Sequence, residues 1–297
     1  MTAQSVAAAL PPGTRLLHIG LPKTGTTTLQ RGAAVNRKRL AAQSVCYPGV
    51  AFNHRDAAAA LMQRPLGWRD RGAVVHDRRV WDKLINEVRD SSADRVFVSH
   101  EFICESDDQQ AARFRSELGD QLHVAITLRG FAELLPTSWQ QVVKAGHTGG
   151  FEQWLEAVLK KGKGAAVPTF YRRNDQAAIV RRWTELVGPE NVTVVIADKR
   201  DPDLLINTFE DLLGLRRGTM ATRPVGGYAA NRGLSAAEAE LVRGVNVIMH
   251  EQRYDWRRYT SLIRHGLIAR MQENRRPAAG EPTLRLPGWA ARAALGV

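Results

Sequence analysis

Cysteine is scarce in this 297-residue chain: there are two, Cys46 and Cys104. They stand far apart and form no metal-ligand spacing, so a cysteine-bound zinc site is excluded and no disulfide framework is implied. A reduced intracellular setting is the simpler expectation. Long apolar runs are missing too, and no window approaches the length of a membrane-crossing helix. Met1 to Pro12 carries no charged side chain. It lacks the basic start and long apolar stretch of a secretory signal. The expectation is a cytoplasmic protein whose association with membranes is at most peripheral.

Acidic residues are outnumbered, 30 against 42 Lys and Arg, for a formal net charge of +12. Such a balance favours anionic partners. The competing reading is a solvated arginine surface, because the arginines are scattered and the longest basic run is only Arg37-Lys38-Arg39. No nucleic-acid module and no basic stretch interleaved with aromatics is present, so nucleic acid is not an expected partner. Hydrophobic residues make up 44% and charged residues 24% of the chain, enough to build a sizeable core and too little charge for disorder.

Short apolar runs at 15–19, 45–47, 95–99, 123–128 and 192–196 read as strands. Between them, 26–40, 56–62, 80–88, 111–118, 131–145, 151–159, 176–187 and 204–213 have helical character. Strands alternating with helices predict an α/β fold with a mostly parallel sheet covered on both faces. After Gly214 the pattern changes: 215–235 reads as a loop, 236–249 and 256–271 as helices, and the tail from Glu273 as irregular apart from a short apolar end near Trp289. The expected organisation is one domain over 1–297, with its core at about 14–214 and a C-terminal loop and helices at 215–297. No internal repeat is found.

Gly20-Leu21-Pro22-Lys23-Thr24-Gly25-Thr26-Thr27-Thr28 follows a buried strand and opens a helix. Free N–H groups at a helix start, aligned with the helix dipole, attract anions there, and glycine lets the backbone approach them. The spacing nearly fits the nucleoside-triphosphate loop G-x-x-x-x-G-K-[ST], but Thr26 stands where the lysine belongs, and Lys23 lies three residues earlier. A lysine at that place suits a ligand with one 5′-phosphate that carries the bond to be broken.

Pro22 to Gln30 resembles the 5′-phosphosulfate-binding loop of sulfotransferases that use PAPS (3′-phosphoadenosine 5′-phosphosulfate). The resemblance extends over most of the chain, through 151–159 and Arg182-Trp183 before Val187-Gly188-Pro189, and is to bacterial, particularly actinobacterial, members. It implies a P-loop three-layer α/β sandwich around a parallel sheet of about five strands, plus the C-terminal helices. It implies PAPS as donor, PAP as product and no metal for transfer. Lys23 would stabilise the leaving charge, and Pro22, Thr24, Gly25, Thr26, Thr27 and Thr28 would complete the loop around the 5′-phosphate.

The family's 3′-phosphate site pairs an arginine ending a later strand with a serine eight residues on. Here Arg129 ends the run at 123–128, and Thr137 stands at the serine position with Ser138 beside it. Thr137 keeps the hydroxyl, and either residue could serve. Tyr228 to Ser235 resembles a late Asn-Arg segment of the bacterial members, and its Arg232, with Arg223 just before the segment, could contact the 3′-phosphate; Ser235 and Glu238 also read as a capping box.

Sulfuryl transfer to a hydroxyl or amine requires a base for the acceptor's proton. The run at 95–99 leads into His100-Glu101, where strand ends line the ligand crevice of such sheets. The resemblance, through its Ser-x-Glu pattern, places Glu101 first and His100 second; the competing role for Glu101 is to pair with an arginine. His18 reads as a core residue, and His54, before a helix, as a possible acceptor contact. No feature identifies the acceptor, and a small molecule, a carbohydrate and a glycolipid all remain open, as does the oligomeric state. The segments 49–80 and 140–170, with Trp68, Trp139, Phe151, Phe170 and Tyr171, are the expected acceptor-shaping region, although such aromatics also suit a core. The rival functions are a P-loop kinase or nucleoside triphosphatase, and a non-catalytic nucleotide-binding protein on the same fold.

Overall fold

Apolar runs too short for a helix pair side by side, and the polar residues that end them turn the chain. The computed structural model describes residues 8–67, 74–160, 168–198, 200–221 and 232–296. In chain order these form β1 (Thr14–His18), α1 (Thr26–Val35), α2 (Arg37–Ala41), β2 (Val45–Cys46), α3 (Arg55–Met62), α4 (Arg78–Arg89) and β3 (Arg95–Ser99). A 3-10 turn, Glu101–Glu105, leads to α5 (Asp108–Leu118), β4 (Leu122–Leu128), α6 (Phe131–Lys144), α7 (Phe151–Leu159), α8 (Pro168–Asn174) and α9 (Gln176–Val187). Then come β5 (Val192–Ile196), α10 (Leu204–Leu212) and α11 (Ala236–Glu251). Last are α12 (Trp256–Tyr259), a π-helical stretch (Thr260–Ile268), α13 (Ala269–Asn274) and α14 (Gly288–Leu295).

The five strands form one sheet in the order β2-β3-β1-β4-β5, every pair parallel. This is the α/β architecture expected from the alternation of strands and helices. On one face, Leu16, Phe97, Ala125 and Val195 of the strands pack with Leu29 and Ala33 of α1, Leu40 of α2, and Leu205, Phe209 and Leu212 of α10. The aromatic contacts Trp81–Phe114 and Phe114–Trp183 join α4, α5 and α9, and α9 packs on β4. β4 is buried at all seven positions, as a central parallel strand requires.

The described residues divide into two compact units: those within 1–66, 74–129 and 172–223 hold the sheet, while those within 67–73, 130–171 and 224–297 form the second unit. In the second unit Leu135, Trp139, Trp154, Leu155, Val242, Tyr259 and Ile263 build the core. Asn246 ties it together by donating to the carbonyls of Val143 and His147, both at 2.8 Å, and accepting from the Tyr259 hydroxyl at 2.8 Å. Among the described residues no helix is long and apolar enough to cross a membrane.

One reading needs correction, and two helices come in addition to those expected. The helix expected over 26–40 is two helices, α1 and α2, broken at Asn36, whose side-chain amide donates to the Gly32 carbonyl at 2.9 Å. Such local bonding competes with the helix ladder. The tail near Trp289 is the helix α14, and α8 is an additional helix before 176–187.

Candidate anion-binding and transfer site

β1 lies between β3 and β4: the chain runs from β1 to β2 and β3 on one side, then crosses to β4 and β5 on the other. A crevice opens at such a switch point, beyond the carboxyl ends of the strands. Three candidate segments leave the sheet there: 19–25 after β1, His100-Glu101 after β3, and Arg129 after β4. Register aligns them, because His18 pairs with Ser99 on one side and Ala125 on the other. Beyond the strand, the amides of Ile19 and Leu21 continue the ladder to the carbonyls of Ala125 (3.0 Å) and Thr127 (2.9 Å).

The loop's two glycines have steric reasons. A Cβ on Gly20 would lie 1.8 Å from Thr127 Oγ1 and 2.3 Å from His18 Nε2. Gly25 adopts φ +92° at the N-cap of α1, and a Cβ there would meet Leu205 Cδ2 at 2.7 Å. Lys23 also has positive φ, 72°. Non-glycine residues adopt this conformation at a cost and tend to do so at functional sites. No side chain caps α1 and no acidic residue occupies its first turn. Its leading N–H groups therefore retain their attraction for an anion.

Lys23 is exposed at the surface. Desolvation by the surrounding protein still lowers its pKa from the ordinary lysine value, with the Glu101 carboxylate opposing. Arg129, which is buried, donates from Nη1 to the Lys23 carbonyl at 3.2 Å, while its own carbonyl accepts from Gln176 at 2.7 Å. Pro22, Thr24 and Thr26 are buried, Thr27 is half-buried and Thr28 exposed.

Glu101 Oε2 accepts from Gln30 Nε2 at 3.0 Å, and His100 Nδ1 lies 3.3 Å from the same oxygen, in a poorly aligned contact. Burial alone would raise the Glu101 pKa; His100, the residue's own backbone amide and Gln30 outweigh it and hold the carboxylate at about 2. The Glu101 side chain is 18% exposed and His100 only 1%, so the carboxylate is the reachable member of the pair. His100 Nε2 has no hydrogen-bond partner among the described residues.

His54, entertained as an acceptor contact, is engaged in the interior. Its Nδ1 accepts from the Ser99 amide at 2.9 Å and its Nε2 meets the Pro48 carbonyl at 3.0 Å. Burial holds its pKa at about 4, with the bonds to Pro48 and Ser99 opposing.

Thr137 and Ser138 lie in α6 of the second unit; Thr137 Oγ1 donates to the Leu134 carbonyl at 2.9 Å and Ser138 is buried. Arg232 binds both oxygens of Glu238, at 2.6 and 2.7 Å. Arg223 and Trp68 lie outside the described residues. Trp139 and Phe170 are buried core residues of the second unit, and Phe151 and Tyr171 pack against that core. Sequence reasoning missed Gln30, Ser99 and Thr127. Gln30 lies beside Leu29 on the buried face of α1, but no partner could be assigned to it from the sequence. Among the described residues no group of three or more His, Cys, Asp and Glu side chains is arranged to hold a metal.

Neither a family model nor a curated protein matches the sequence. Among solved structures the chain is similar to the crystal structure of a sulfotransferase from Alicyclobacillus acidocaldarius, with 17% identity, a TM-score of 0.48, and 83% of this chain and 98% of that chain covered.

Proposed function

We propose that this protein transfers a sulfuryl group from PAPS to a hydroxyl or amine of an acceptor, which could be a small molecule, a carbohydrate or a glycolipid. The observation that carries the reading is the uncapped start of α1 behind Lys23, with Glu101 at the end of the neighbouring strand. The donor set fits the ligand: backbone N–H groups and threonine hydroxyls suit a 5′-phosphate, and the positive φ of Gly25 favours glycine at the start of the helix. In this reading Lys23 neutralises charge developing on the leaving phosphate oxygen. Arg129 holds Lys23 through the loop carbonyl and extends its guanidinium to the 3′-phosphate. Thr137, Ser138, Arg223 and Arg232 are the further 3′-phosphate contacts that the resemblance implies.

Glu101 takes the acceptor's proton. A carboxylate with a pKa of about 2 is a weak base. An anionic donor beside it raises that value, since like charges disfavour ionisation. The transfer thus strengthens its own base when the donor binds. His100 stands next to Glu101 and supports its orientation.

Calorimetric titration with PAP, with 5′-AMP and ATP as controls, tests the donor site on wild type and Arg129→Ala. PAP is expected to bind more tightly than 5′-AMP. Arg129→Ala is expected to weaken PAP by about 10- to 100-fold, the range for a lost charged hydrogen bond, and to weaken 5′-AMP much less. Mg²⁺-dependent ATP binding with indifference to PAP would return the chain to the nucleoside triphosphatases. Tight PAP binding with no transfer across a broad set of hydroxyl and amine compounds would favour a binding protein.

A further inference from the structure

Beneath the loop lies a buried polar chain that the transfer reaction does not use directly. His18 Nδ1 is 2.7 Å from Ser99 Oγ, and His18 Nε2 is 3.1 Å from Thr127 Oγ1. Thr127 Oγ1 is 2.7 Å from Thr24 Oγ1, which donates to the Leu21 carbonyl at 2.7 Å. At the other end, Gln30 Nε2 donates to Ser99 Oγ at 3.3 Å and to Glu101 Oε2 at 3.0 Å. All five side chains, those of Thr24, Gln30, His18, Ser99 and Thr127, are buried.

Proton counting gives this chain one direction. The Leu21 carbonyl can only accept, so it takes the single Thr24 hydroxyl proton. The Thr24–Thr127 contact must then use the Thr127 proton. Thr127 oxygen is left to accept from His18, which places the ring proton on Nε2. In a ring kept neutral by its burial, His18 Nδ1 then accepts the Ser99 proton, and Ser99 oxygen accepts from Gln30. The Gln30 amide cannot be flipped, because a carboxylate without a proton cannot donate. Asn53 agrees, donating to Gln30 Oε1 at 3.3 Å. Reversing any member would set two lone pairs, or two protons, against each other.

We infer that His18, held as the neutral Nε2–H tautomer, is a positioning residue that joins the anion-binding loop, through Thr127 and Thr24, to the Glu101 carboxylate, through Ser99 and Gln30. Neither end can then move without breaking a buried hydrogen bond, so loop and carboxylate hold one relative geometry. The charge state agrees: burial pushes the His18 pKa down to about 3, with Glu101 opposing. The ring also packs edge-on against Phe209, with centroids 4.9 Å apart, which leaves it no room to swing.

The donor arm of the test rests on the PAPS reading; the network itself does not. Nitrogen-15 NMR of the His18 ring at neutral pH is expected to show the Nε2–H tautomer. A Nδ1–H ring or an imidazolium would overturn the inference. Thr127→Val removes the central hydroxyl at nearly constant shape, and Thr127→Ser restores it. With comparable melting temperatures, Thr127→Val is expected to bind PAP about tenfold more weakly, and Thr127→Ser to bind like wild type. Equal PAP affinity in all three proteins would refute the coupling. If wild type binds no PAP, the donor reading fails, and amide hydrogen exchange at 21–26 decides the network separately. Exchange about tenfold faster in Thr127→Val but not in Thr127→Ser supports it, and unchanged exchange overturns it.

Discussion

Glu101 and Glu105 stand at the two ends of one 3-10 turn and are treated oppositely by the fold. The Glu105 side chain is 1% exposed and is gripped by Arg64 and by Arg173, whose Nε and Nη2 lie 2.6 and 2.5 Å from Oε1. Arg173 in turn stacks over the Phe102 ring, 4.7 Å from its centroid. The Glu101 side chain is 18% exposed, and it meets the Gln30 amide, its own backbone amide and the His100 imidazole rather than a guanidinium pair. A carboxylate closed in by two guanidiniums has no capacity left for a ligand's proton. One held from a single side by weaker donors keeps an accessible oxygen. The difference between saturation and exposure, more than residue type, separates the scaffold carboxylate from the candidate base.

The largest effect that sharpens this contrast is expected at Glu101. Glu101→Gln should lower kcat for sulfuryl transfer by about 10²- to 10⁴-fold, the range for a lost general base. Its PAP affinity should be unchanged or higher, since a negative charge beside an anionic ligand is gone, and its melting temperature should stay close to that of wild type. A variant that lost PAP binding and kept its kcat would make Glu101 a positioning group instead.

Glu105 should respond in the reverse sense. Glu105→Ala leaves Arg173, itself 4% exposed, buried without its carboxylate. The expected cost is about 3–5 kcal/mol of stability, the range for breaking a buried pair from one side, read by chemical denaturation. PAP affinity of the protein that remains folded should be near that of wild type. A loss of PAP binding out of proportion to the lost stability would erase the division between the two ends of the turn.

How much of this could be read beforehand follows from which forces are local. The strands at 95–99 and 192–196 were legible to the residue, because a short apolar run bounded by polar residues has few alternatives. The loop was legible because Gly20, Lys23 and Gly25 carry their chemistry in one stretch. The break at Asn36 depends on a side-chain bond that competes with the helix, and α14 follows a stretch whose proline and arginine content hid it. The chain beneath the loop was not legible as a chain, although His18 read as a core residue. Ser99, His18 and Thr127 come from three strands that the register of β1 with β3 and β4 brings together, and Gln30 reaches Ser99 from α1. The division into two units was equally hidden, since 130–171 joins the C-terminal part across a long stretch of sequence.

The smallest expected effect carries the contrast into the second unit, where Glu238 repeats the pattern of Glu105. It is 3% exposed and bound by Arg232 and Arg275, and it closes the capping box with Ser235 that starts α11. Burial alone would raise its pKa; Arg232, the Ser235 amide and Arg275 outweigh it and hold the group at about 2. Arg232→Ala removes one of two guanidiniums and leaves Arg275 in place, so the expected cost is about 1–3 kcal/mol, the range for a lost hydrogen bond to a buried charged group. Denaturation measures that cost, and a PAP titration on the same protein measures the other role assigned to this arginine. A fall in affinity that restoring Glu238's charge balance with Glu238→Gln does not reverse would place the guanidinium on the nucleotide. Stability loss alone would make Arg232, like Arg173, a cation spent on holding a carboxylate.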